Sequence, residues 1–149
     1  GYHKSANMTV ESEPKHSAHA YGFEADAAKA LFDIFKTKDT KLAVFWAERR
    51  YEGYHKSANM TVESEPKHSA YASSFEGNAA AELYKLTKKE NWRKLAVDSY
   101  QRFINYFENH PEKGIENVLV IIKNRFDLLT EQPITSDFSN PPRFTGKSR

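Results

Sequence analysis

The chain has 149 residues and not one of them is cysteine. That excludes a thiolate nucleophile, a disulfide staple and any zinc site built on sulfur. Long apolar runs are missing as well. The longest uninterrupted aliphatic stretch is Val118-Leu119-Val120-Ile121-Ile122, far short of the ~20 residues that a membrane helix needs, which predicts a soluble protein without membrane contact. No initiating methionine is present, and no charged start leads into an apolar segment. A secretory leader is therefore not expected within these residues, and with the lack of cysteine this points to a cytoplasmic location. Charge of one sign is scarce too: 22 Lys and Arg against 20 Asp and Glu leave +2, too little to single out a polyanionic partner. What the chain does have is apolar material, 39% of its residues with 13% aromatic. A chain of this length buries roughly two thirds of its unfolded surface, so one compact domain is expected.

The strongest signal is a repeat. Residues 1–18 recur without a change as residues 53–70, and beyond that block Ala20, Phe23, Glu24, Ala27, Ala28 and Leu31 return as Ala72, Phe75, Glu76, Ala79, Ala80 and Leu83. Lys41-Leu42-Ala43-Val44 returns as Lys94-Leu95-Ala96-Val97 one residue further on, which places a single insertion near Lys88 and Lys89. A unit of about 52 residues lies in the range of stacked repeat architectures. Identity followed by drift fits a recent natural duplication with homogenisation, which is the favoured reading; an engineered tandem duplication is the alternative.

Each unit reads as two helices. Pro14 and Pro66 suit a first helical turn, where a missing N–H costs nothing. From there Ala18, Tyr21, Ala25, Ala28, Phe32 and Phe35 fall at steps of three or four, and Ala70, Ala79, Ala80, Leu83 and Leu86 trace the same face in the second copy. Gly22 and Gly77 interrupt these helices, but small residues there let helices approach closely. After polar breaks at Thr37 to Thr40 and Lys88 to Asn91, second helices follow, with Leu42, Phe45, Trp46 and Tyr54 in one unit and Leu95, Ala96, Tyr100, Phe103 and Phe107 in the other. Short breaks make each pair an antiparallel hairpin, and Asn109-His110-Pro111 ends the last of them. In this register Gly1 to Ala6 is the end of a second helix whose start lies outside the chain, as in a longer array. Ile115, Val118, Leu119, Ile122, Phe126 and Leu129 predict one more amphipathic helix over 112–131, a cap for the stack. The tail, 132–149, carries three prolines and no periodicity, and is expected to be flexible.

The expected architecture is thus all-α: stacked antiparallel helical hairpins over residues 1–131, with units at about 1–52 and 53–111 and a C-terminal capping helix. Hairpins with small residues and aromatics placed as in Gly77-Asn78-Ala79-Ala80-Ala81-Glu82-Leu83-Tyr84, followed by Trp92 and Ala96 to Tyr100, resemble tetratricopeptide-like repeats. Their longer helices are closer to the SNAP-like branch. The likeness covers residues 14–111 and departs from the family in its period, since a tetratricopeptide unit is about 34 residues, and in the late position of Pro111. It implies a helical scaffold that binds other proteins and carries over no particular binding residue.

Chemistry-bearing residues are few in pattern. His16 and His19, three apart on one helix, have the spacing of a ligand pair, but the second copy carries His68 and then Tyr71, and no third ligand stands nearby in sequence; no metal site and no cofactor are expected. Glu24 with Asp26, and Glu63 with Glu65, have the spacing of any solvated helix as well as that of an acid–base pair. Glu24 and Glu76 persist where the copies have drifted, beside the apolar stripe, and are expected to pair between helices with Arg49, Arg50 or Lys94. There is no phosphate-binding glycine loop, nucleophile elbow or His-Glu-x-x-His, so an enzyme is not expected. Asn7-Met8-Thr9 and Asn59-Met60-Thr61 match the short N-glycosylation pattern.

The favoured reading is a non-catalytic protein–protein interaction or scaffold module. Arg49, Arg50, Tyr51, Tyr54 and Tyr106 are its expected partner-binding residues on the rim of a concave surface, and a protein or peptide is the expected partner. The alternatives are a helical-array enzyme or small-ligand binder using His and Glu between hairpins, and a weak nucleic-acid binder. The latter would use Lys85, Lys88, Lys89, Arg93 and Lys94 with the basic tail, although interspersed acids argue against it. A homodimer through the N-terminal face of the stack is a further expectation.

Overall fold

The computed structural model describes residues 14–131, with side chains from Ala18 onward. It contains helices α1 (Pro14–Phe35), α2 (Thr40–Thr61), α3 (Pro66–Thr87), α4 (Glu90–Asn109) and α5 (Glu116–Glu131), and no strand among the described residues. Each helix packs against the next, so α1 with α2 and α3 with α4 form two antiparallel hairpins joined face to face through α2 and α3. The all-α stack of hairpins is the fold. The expectations for Gly1 to Ala6 and for the tail lie outside the described residues. No described helix is long and apolar enough to cross a membrane.

Local chemistry explains where the helices start and stop. Pro14 and Pro66 open α1 and α3 as the repeat predicts. Asp39 caps α2 by accepting the backbone N–H of Leu42 at 3.1 Å. The one-residue insertion falls between α3 and α4. There Lys88 takes a left-handed conformation, φ 60°, and its N–H closes α3 by donating to the Tyr84 carbonyl at 2.8 Å. α4 stops at Asn109, before His110-Pro111. α5 begins at Glu116, four residues later than the periodicity indicates. Gly114 turns the chain with φ +90° and Ile115 is already buried ahead of the helix, so the apolar period starts in a turn.

The core changes character along the stack. Between α1 and α2 it is built of alanine, with Ala18, Ala25, Ala28, Ala43 and Ala47 buried around Phe32. Between α3 and α4 large side chains take over: Leu83, Tyr100, Phe103 and Phe107, closed by Ile115, Ile122 and Leu129 from the last helix and its lead-in. The predicted face of α2 is corrected. Leu42 and Phe45 are exposed, and the buried stripe runs through Ala43, Ala47, Arg50 and Tyr54, one residue round the helix. The alanines set that rotation, because only a face of small residues fits against the alanines of α1. α5 covers α4 on one side and leaves Val120, Ile121 and Leu128 exposed on the other.

Buried tyrosines give this core a pH limit. Burial, against the opposing pull of Arg125, pushes the Tyr100 phenol from its ordinary value of 10.0 up to about 12. Burial likewise raises Tyr51 and Tyr54. A group whose pKa is higher folded than unfolded contributes its full stability below the unfolded value and loses it as pH climbs towards the folded one. The protein is therefore expected to hold its stability to about pH 10 and to lose on the order of 2 kcal/mol from Tyr100 alone by pH 12. Tyrosinate absorbance should rise together with loss of helical circular dichroism. Ionisation of all tyrosines with helicity intact would contradict this.

Candidate functional site

The junction of the two hairpins forms a groove with α1 and α3 as its walls and α2 as its floor, enclosing about 300 Å³. Phe23 on α1 and Phe75 on α3, which occupy the same position of the two units, line it while 54% and 45% exposed. Tyr54 rises from the floor, its ring 5.3 Å from that of Phe75 and its hydroxyl donating to Asp26. That burial and that bond hold its phenol protonated.

Polar groups gather at one end. His19 from α1 and His68 from α3 bring their rings to 5.1 Å, tilted by 35°. Ser57 of α2, almost fully buried, lies with its hydroxyl 3.0 Å from His68 Nε2. Glu65, just before α3, completes a group of three whose ligand-type atoms all lie within 4.8 Å of one another. Burial, with the His19 ring beside it and Glu65 acting in the opposite sense, lowers the pKa of His68. The sequence placed His19 with His16, whose side chain is outside the described residues, and found no third ligand. Stacking of the hairpins instead joins residues far apart in the chain. No spacing rule within one helix reveals that.

The two glutamates retained in the drifted part of the units are ion-paired between the helices of each hairpin. Glu24 meets Arg49 at 3.7 Å, as one of the expected pairings. Glu76, only 1% exposed, accepts from Arg102 Nη2 at 2.6 Å and also meets His55. Lys94 is not its partner. Arg102 is the repeat counterpart of Arg49 at the offset of the Lys-Leu-Ala-Val block, so the signal for this pair was present in the sequence.

Of the five residues expected on a concave rim, three are interior. Arg50 is buried with its guanidinium 5.9 Å from the Phe32 ring centre, and burial lowers its pKa. Tyr51 is buried between His55 and Trp92, and Tyr54 forms the groove floor. Tyr106 is half-buried with His110 stacked on it at 4.2 Å, and Arg49 keeps part of its surface. In the basic stripe Lys85, Lys88, Lys89 and Lys94 are exposed. Arg93 is turned inward, donating to Glu90 and to the Leu129 carbonyl at 2.7 Å, where it ties α5 to α4. Asn59 of the glycosylation pattern is exposed within α2, with Thr61 fully buried two residues on.

A concave surface between the hairpins was expected, but not this lining, for which the sequence held one signal. Phe23 and Phe75 are retained in the part of the units that has drifted, yet they are not part of either buried stripe. No protein family, curated protein or solved structure matches the chain.

Proposed function

We propose that the chain is a non-catalytic protein-interaction module in which the groove between α1 and α3 seats apolar side chains of a peptide segment from another protein. The observation that carries this is the pair of repeat-equivalent phenylalanines, half in water on opposite walls of one groove. Exposed aromatic surface beside a buried aromatic floor is the composition of interaction hot spots. Asp26 and the histidines at the margin add polar groups that orient a bound backbone or side chain. The stacking of the hairpins supports the same reading, since stacked hairpins present their first helices as one continuous surface.

A displayed library of random peptides, selected on the whole chain, tests it. Selected peptides are expected to share an aromatic or branched aliphatic anchor. They should bind the Phe23→Ala/Phe75→Ala double variant at least about tenfold more weakly, the loss of a modest hot spot. Helicity of that variant should be unchanged and its melting temperature only slightly lowered, because about half of each residue already lies in water. Selected peptides that bind wild type and double variant equally would sink the proposal.

A further inference from the structure

We propose that His19, Glu65 and His68 together bind one divalent transition-metal ion, with zinc the best match, and that this ion joins the two hairpins. The inference is independent of the peptide reading. Two imidazoles and one carboxylate form a donor set suited to zinc rather than to calcium or magnesium, which take oxygen-rich cages. Their candidate ligand atoms lie within 4.8 Å of one another. Atoms bound to one tetrahedral ion at about 2.0–2.1 Å stand roughly 3.3–3.5 Å apart, so closing the set takes up to about 1.5 Å of side-chain movement. His19 is exposed and has the freedom to make that movement.

Ser57 supplies the outer contact that metal-binding histidines usually have. With His68 Nε2–H donating to Ser57 Oγ, at 3.0 Å, Nδ1 is the nitrogen left for the ion and the ring is held in place. Both histidines also line the groove, which leaves a fourth position open to water or to a group entering the groove.

Among the described residues there is one such site, and the repeat shows why. Ser57, Glu65 and His68 all belong to the block of 18 identical positions, whereas the position of His19 is taken by Tyr71 in the second unit. The site therefore depends on a histidine that only the first unit has. An ion here ties α1 directly to the start of α3, which otherwise meet chiefly through α2.

Zinc titration of the whole chain, stripped with a chelator and followed by calorimetry, is the test, with cobalt absorption as a second readout of coordination. One equivalent of zinc is expected to bind and to raise the melting temperature. His19→Ala should fold normally and lose at least about 100-fold in affinity, while Ser57→Ala should lose roughly tenfold. Glu65→Gln should alter the cobalt spectrum, and His110→Ala should leave binding unchanged. Zinc that binds His19→Ala as tightly as wild type, or no saturable binding by wild type, would overturn the proposal.

Discussion

Replacing Arg102 by methionine is expected to cost about 3 kcal/mol of stability, far more than the same replacement of Arg49, its counterpart in the first unit. The difference comes from the carboxylate left behind. Glu76 is 1% exposed, and Arg102 Nη2 donates to it at 2.6 Å while also lying 3.3 Å from Ser99 Oγ. Arg102 itself is half in water, 47% exposed, but the carboxylate it pairs with is enclosed, so removing the arginine leaves a nearly buried charge short of its main partner. His55 remains in contact, which keeps the cost towards the lower end of the usual range for such changes. Glu24 is more open and its distance to Arg49 is 3.7 Å, so Arg49→Met should cost no more than about 0.5 kcal/mol. Glu76→Gln removes the charge but keeps the shape and one acceptor, and should cost about 1 kcal/mol. Urea unfolding of the three variants ranks them, and equal losses for Arg102→Met and Arg49→Met would show that burial of Glu76 does not set the energetics.

The order of the helices, and the starts of α1 and α3, were legible because duplication states them twice, whereas α5, which has no second copy, begins four residues later than expected. Pro14 is confirmed by Pro66, and the inserted residue marks the turn at Lys88. The glutamate pairs were half legible: Glu24 with Arg49 was anticipated, but Arg102 was passed over for Lys94, which is nearer in sequence to Glu76. Facing directions failed where alanine carries the packing. Leu42 and Phe45 look like core residues by hydrophobicity, yet α1 offers only a shallow alanine surface, and Ala43 and Ala47 fit it better than large side chains do. The same shallow packing buries Arg50 and Tyr54, which as polar and amphipathic residues suggested a rim. The histidine cluster was illegible for a different reason. It forms across the junction of the hairpins, so its geometry depends on how α1 and α3 lie over α2 rather than on any periodicity within them. Phe23 and Phe75 show the limit from the other side: their recurrence was visible, but only the fold reveals that both walls of one groove expose them.

Three glycines in helices should answer to alanine in opposite ways. At Gly77 a new Cβ would stand 2.6 Å from two ring carbons of Tyr100. That ring has little room to retreat, because Tyr100 is 1% exposed and its hydroxyl donates to Asn78 Oδ1 at 2.6 Å, an oxygen that Arg125 also holds at 2.7 Å. At Gly53 the Cβ would meet the Tyr21 carbonyl oxygen at 2.7 Å and the Ala25 Cβ at 2.8 Å, so relief requires α1 and α2 to move apart along their alanine seam. Overpacking of this kind costs typically 1–3 kcal/mol, and backbone contact at one site and a pinned ring at the other put both substitutions at about 3 kcal/mol. Gly22 has nothing within 4 Å of the same position and an ordinary helical backbone. There alanine only removes the conformational freedom that glycine gives the unfolded chain, and should stabilise by about 0.5–1 kcal/mol. Thermal melts of the three variants should therefore move in two directions, down for Gly53→Ala and Gly77→Ala and up for Gly22→Ala. A fall for Gly22→Ala of the same size as the others would mean that α1 lies against a neighbour at that point and that the groove beside it is narrower than described.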